Sequence, residues 1–77
     1  MTKEKIFEFF KAKGVSENLD FETDLFKGGF IDSLFAFEVV VFLEETFGVH
    51  LDNKDITEEN FRTITSMASM IDRIRGV

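Results

Sequence analysis

At 77 residues the chain has material for one hydrophobic core, so residues 1–77 read as a single domain. A domain this small has little room for a deep pocket, which weighs against a free-standing enzyme. It contains no cysteine, which excludes a disulfide framework and a thiolate metal site, and its formal net charge of −6 disfavours nucleic acid as a partner.

The negative charge is unevenly placed. Between Asp32 and Asn60 stand eight acids, among them Asp32, Glu38, Glu44, Glu45, Asp55 and Glu58, against the single base Lys54. The remainder holds seven acids and eight bases, close to balance. A local negative field repels nucleic acid and anionic membrane and favours a basic protein surface, the alternative being a face kept soluble by charge. No apolar run approaches the length of a bilayer span, and Lys3, Glu4, Lys5 and Glu8 interrupt the N-terminal stretch. Neither a membrane span nor an export signal is expected, and a cytoplasmic monomer follows as the expectation.

Lys3 to Lys13 predicts a first helix. Ile6, Phe9 and Phe10 recur at helical spacing, Thr2 is the expected N-cap, and Gly14 suits the left-handed position that ends a helix. Lys11 and Lys13 complement the negative end of its dipole. Val15 to Asp32 is a long connection, but Val15, Leu19, Phe21, Leu25, Phe26, Phe30 and Ile31 give it anchors enough to lie ordered across the core.

Leu34 to Phe47 predicts a second helix closed by Gly48. Its Val39-Val40-Val41-Phe42-Leu43 run is β-branched and would suit a strand, yet the apolar stretch exceeds ordinary strand length and runs into Glu44 and Glu45 without a turn signal. Asn53 to Phe61 predicts a brief third helix. Ile64 to Arg75 predicts a fourth, with Thr63 as N-cap and Ile64, Met67 or Ala68, Ile71 and Ile74 facing inward. The expected fold is all-α: a small four-helix bundle with a long ordered loop between helices 1 and 2.

The second helix has too many apolar faces for a domain of this size. Ala36, Val39 or Val40, Leu43 and Phe47 make one stripe that faces the core, and Leu34, Phe37 and Val41 make another beside Glu38, Glu44 and Glu45. Either the eleven phenylalanines overfill a tight core, Phe35 among them, or the second stripe is a docking surface ringed by carboxylates.

Candidate chemistry narrows to one hydroxyl. Ser33 stands at the start of the second helix, where either it or Asp32 could cap the first turn. A Ser-His-Asp triad would need His50, the sole histidine, and Ser33 lacks a Gly-x-Ser-x-Gly elbow. A calcium loop from Asp20 gains Glu22 and Asp24 but puts Leu25 at the turn position and Ile31 where a bidentate glutamate belongs. Metal ligation by His and Cys fails for want of ligands. Met67 and Met70 read as core filler.

The run Asp24-Leu25-Phe26-Lys27-Gly28-Gly29-Phe30-Ile31-Asp32-Ser33-Leu34 resembles the attachment region of acyl and peptidyl carrier proteins. Phe42-Leu43-Glu44-Glu45-Thr46-Phe47-Gly48-Val49 resembles the end of that family's second helix, and Ile56 to Phe61 and Ile64 to Ile71 its third and fourth. The resemblance implies that Ser33 receives a 4′-phosphopantetheine arm from coenzyme A through a phosphopantetheinyl transferase. The arm's thiol would hold acyl or aminoacyl groups as thioesters in fatty acid, polyketide or nonribosomal peptide synthesis. It implies as partners an acyl- or aminoacyl-loading ligase and a downstream transferase or synthase. Asp32 would belong to the attachment motif, and Leu34, Phe37, Glu38, Val41, Glu44, Glu45, Asp55 and Glu58 to the surface that partner enzymes read. Ser33 would then be an acceptor and the domain no enzyme. Phe35 stands where fatty-acid carriers often have an acid, and Phe30-Ile31 precede Asp32 where they usually have a glycine; both features look more like D-alanyl carriers and free-standing carriers of specialised pathways. The competing expectation is an unmodified helical interaction module that uses the same acidic and apolar second helix.

Overall fold

Four helices form in the computed structural model, which describes residues 2–76: α1 (Thr2–Ala12), α2 (Ser33–Phe47), α3 (Glu58–Phe61) and α4 (Ile64–Arg75). The described residues contain no strand, and the protein is an all-α bundle. No helix among them is long and apolar enough to cross a membrane.

Local chemistry sets most of the helix ends. Asp32 holds an extended backbone before α2, and its Oδ1 accepts the Phe35 N–H at 2.8 Å. Gly48 closes α2 at φ +65°, a conformation that favours glycine, and donates its N–H to Glu44 O at 2.9 Å. The β-branched valines stay helical because the helical period carries Val39 and Leu43 together into the core, where both are fully buried. Thr63 caps α4, its hydroxyl accepting the Ser66 N–H at 2.9 Å, while Arg73 and Arg75 occupy the last turn.

Three expectations need correction. The third helix spans only Glu58–Phe61, capped by the extended Thr57, and residues 53–55 form a turn instead. There the Asp55 carboxylate accepts the Asp52 N–H at 3.0 Å, and Asn60 Nδ2 donates to Asp55 O at 2.9 Å. Side chains that bond the nearby backbone in this way compete with helix formation. Thr2 begins α1 rather than preceding it, and its hydroxyl donates to Asp72 Oδ1 at 3.0 Å, joining the start of α1 to α4. Ile74 is 38% exposed, because the final turn of α4 extends past the core.

The core comprises Ile6 and Phe10 of α1, Leu25 of the long connection, Val39 and Leu43 of α2, and Ile64, Met67, Met70 and Ile71 of α4, all fully buried. The closest helix approaches are of α1 and α3 to α4. Between α1 and α2 the contact is made by rings. Phe9 stacks on Phe42 at 4.1 Å between centroids and lies nearly parallel to Phe35 at 6.1 Å, while Phe10 meets Phe35 edge-on at 5.7 Å.

The connection from Val15 to Asp32 is ordered, as its apolar anchors imply. Leu25 buries its side chain and donates its N–H to Arg62 O at 2.8 Å; the Thr65 N–H is donated to Phe21 O at 3.1 Å. Asp24 Oδ1 accepts the N–H groups of Phe26 and Lys27, and its Oδ2 lies 3.4 Å from Arg62 Nη1. The Lys27 N–H lowers the Asp24 carboxyl below its ordinary value; partial desolvation opposes this and Arg62 reinforces it.

Leu43→Ala is expected to cost about 2–5 kcal/mol in chemical denaturation, a cost under about 1 kcal/mol being incompatible with its place in the core. A carboxyl whose pKa falls on folding adds stability that is present above the ordinary aspartate value of about 4 and is lost as pH drops through the lowered one. Asp24→Asn should therefore reduce Tm at neutral pH, with the gap to wild type closing in acid. A gap independent of pH would show that the ionised form of Asp24 is not what anchors the connection.

Candidate functional site

Ser33 is the first residue of α2 and is exposed. Asp32, not Ser33, supplies the cap, so the Ser33 hydroxyl has no hydrogen-bond partner among the described residues. The chain reaches this point through a tight turn. The Phe30 N–H is donated to Leu25 O at 3.0 Å, and Gly29 sits at φ +72°. The Phe30 ring folds over Gly28, where an added Cβ would fall 2.3 Å from a ring carbon. The two glycines thus serve different ends, one for backbone handedness and one for ring clearance. Phe30 and Ile31 then pack against the core and fix the entry to α2.

Two open grooves flank the serine's turn. One, of about 370 Å³, is lined by Phe26, Ile31, Asp32, Ser33 and Ala36. The other, of about 420 Å³, lies on the α1 side between Lys13, Val15, Phe30, Asp32, Phe35 and Glu38.

The expected partner-facing residues divide into two groups. Leu34 is 85% exposed and Phe37 71%, and at ~100° per residue they lie opposite the Val39–Leu43 stripe. Val41 shares that direction and is half-buried. Glu45 is exposed, with no ion pair among the described residues. Glu38 is exposed but pairs with Lys13, at the end of α1. Glu44 turns inward: its Oε2 accepts the Leu51 N–H at 2.9 Å. The Asp55 carboxylate is used by its own turn, and Glu58 lies 3.6 Å from Arg62. Sequence reasoning did not anticipate Lys13 beside Glu38, since no local signal joins residues on different helices. It also passed over Ile56, which is 42% exposed just before α3.

His50 lies beyond the other end of α2, 3.5 Å from Glu44 and 3.3 Å from Asp52, with about 22 Å of helix between it and Ser33. A nucleophile–base pair with Ser33 is thereby excluded. No group of His, Asp and Glu among the described residues is arranged to hold a metal ion.

The chain is 32% identical over 63 residues to the probable acyl carrier protein PigG of Serratia sp., a match covering 82% of this chain and 72% of that protein. The chain belongs to the carrier protein family. This carrier is also 28% identical over 71 residues to the D-alanyl carrier protein of Streptococcus pyogenes, covering 92% of this chain and 87% of that one. No family model matches the chain. The all-α architecture of this carrier agrees with the resemblance read in the sequence.

Because Phe37 projects away from the core, Phe37→Ser should leave thermal stability nearly unchanged, within about 0.5 kcal/mol. A marked drop in Tm would place that ring inside the fold.

Proposed function

We propose that this carrier is modified on Ser33 with 4′-phosphopantetheine and delivers thioester-bound acyl or aminoacyl groups between enzymes. The observation that carries the reading is the exposed, unengaged hydroxyl of Ser33 at the first turn of α2, in a chain whose relatives are carrier proteins.

The residues present fit the group. Asp32 takes the Phe35 N–H, and the N–H groups of Ser33 and Leu34, in the first turn, have no intrahelical acceptor. Attachment leaves a phosphodiester anion at the positive end of the α2 dipole, where those N–H groups favour it. In the transfer the Ser33 Oγ–P bond would form, the P–O bond within the diphosphate of coenzyme A would break with adenosine 3′,5′-bisphosphate as leaving group, and the hydroxyl proton would pass to a base on the transferase. The carboxylate beside Ser33, that of Asp32, is engaged as the cap of α2, and on this reading Ser33 is an acceptor and not a catalyst. When bound, the arm supplies a thiol that holds its cargo as a thioester. The chain's own contribution is to present Ser33 on a fixed helix start and to keep its hydroxyl free of competing hydrogen bonds.

The partners on this reading are a phosphopantetheinyl transferase, an acyl- or aminoacyl-loading ligase and a downstream transferase or synthase. They approach the face of α2 that carries Leu34, Phe37 and Val41, with Glu38 and Glu45 at its sides. Glu44, Asp55 and Glu58 border that region with their carboxylates already engaged.

Intact mass after incubation with coenzyme A, magnesium and a broad-specificity phosphopantetheinyl transferase tests the proposal. One added phosphopantetheine is expected on wild type and none on Ser33→Ala. No addition by several transferases to protein shown to be helical would favour an unmodified interaction module.

A further inference from the structure

We infer that the seam between α1 and α2 is a second docking surface, separate from the Ser33 face, and that it takes a basic amphipathic helix of a partner protein. The inference stands apart from the modification of Ser33 and concerns a groove which that reading leaves unused.

Lys13 at the end of α1 pairs with Glu38 near the start of α2, whereas Glu4 at the other end of α1 shares a groove with Thr46, so the two helices run antiparallel. Their backbones stay apart while α1 packs onto α4, and they meet through rings. Between them lies an open groove of about 430 Å³, lined by Glu4, Lys5, Glu8, Phe9, Phe42 and Thr46. Its surface is almost wholly apolar, floored by the half-buried rings of Phe9 and Phe42 stacked at 4.1 Å. The Lys13–Glu38 pair closes the seam toward Ser33, and Phe42 lies about 14 Å along the axis from the serine. From Glu4 to Lys13 the seam is also about 14 Å long, the span of two to three helical turns.

Charge decides the occupant. Glu4 and Glu8 stand four positions apart on one wall, and Glu45 borders the other, about 60° round α2 from Phe42. All three are exposed and have no ion pair among the described residues. Like charges at i and i+4 work against α1 in the free protein, and a cation relieves them. Against them stands Lys5, since Lys13 is engaged by Glu38. The rings share the preference: Lys13 Nζ already sits 5.6 Å from the centre of Phe9. The same carboxylates repel anionic lipid, and the described residues contain no strand whose edge would hold an extended peptide. A helix with an apolar stripe flanked by lysine or arginine satisfies both features of the seam. Its stripe covers the rings and its cations reach the carboxylates on either side.

The test uses the unmodified full chain and a fluorophore-labelled synthetic helix of about four turns, built of leucine, lysine and alanine with its leucines on one face. Fluorescence anisotropy gives Kd, and amide NMR shifts locate the site, with the largest expected at residues 4–9 and 42–46. Glu4→Gln combined with Glu8→Gln should weaken binding about 3- to 10-fold, and Lys5→Glu should tighten it about twofold or more. Glu17→Gln combined with Glu59→Gln removes the same charge from exposed positions elsewhere and should leave Kd within about twofold of wild type. The same peptide with glutamate in place of lysine should not bind. Circular dichroism confirms that each variant is folded. Shifts centred on the Leu34–Phe37 turn, equal losses from the two charge pairs, or no binding of the basic peptide would each overturn the inference. None of these results touches the Ser33 reading, which the mass measurement tests by itself.

Discussion

The placement of α2 depends on the burial of Val39 and Leu43 together with the packing of Phe9 against Phe42 and Phe35. The backbones of α1 and α3 come closest to α4, whereas α2 is joined to α1 through rings. Each aromatic pair adds about 0.5–1.5 kcal/mol beyond the area it buries, and its preferred geometry fixes orientation as well as distance. Phe35 lies two positions after Ser33, with its edge or face held by Phe10 and Phe9. The position of the exposed hydroxyl is therefore coupled to the fully buried Phe10 through one intervening ring.

A second support reaches the same point from the other side of the bundle. Leu25 is buried in the core and its N–H is tied to Arg62, while Asp24 closes a turn over Lys27 and meets the Arg62 side chain. The glycine turn then returns the chain to Asp32. A connection of this length would be mobile if it were polar; here its apolar anchors make it a strut between the α3–α4 junction and the start of α2. Ser33 is held from two directions while its hydroxyl has no partner among the described residues, a preorganisation that, on the proposed function, reduces the ordering a modifying enzyme must impose.

Much of this was legible in the sequence wherever the cause is local. Thr63 and Gly48 mark helix ends because capping needs only neighbours within a turn. The inward stripe of α2 followed from its period, and the methionines of α4 are core as their spacing implied. The start of the third helix was misread because the Asp55 and Asn60 side chains bond nearby backbone groups, an outcome that composition cannot rank against helix. Ile74 continues the inward period, but the core ends before it does. At the site, the exposure of Leu34 and Phe37 could be read from their wheel positions. The use of Glu38, by contrast, depends on a lysine 25 positions earlier that only the tertiary fold brings near.

That last difference separates the roles of charge and apolar surface on α2. An exposed leucine and phenylalanine on one helix face invite self-association unless something keeps copies apart. The net charge of −6, concentrated from Asp32 to Asn60, opposes like-to-like approach of that face. Meanwhile the individual carboxylates cap α2, close the turn before α3 and tie α2 to α1. A group engaged within its own fold still contributes to the long-range field, since the field sums charges whether or not a short-range partner is present. Lys54 within that segment, with Lys13 beside Glu38 and Arg62 beside Glu58, leaves most of its eight acids uncompensated, so the field stays negative. The acids can thus keep copies apart at a distance even while each is engaged within its own fold. A small domain can in this way leave an apolar pair exposed without relying on its burial for stability.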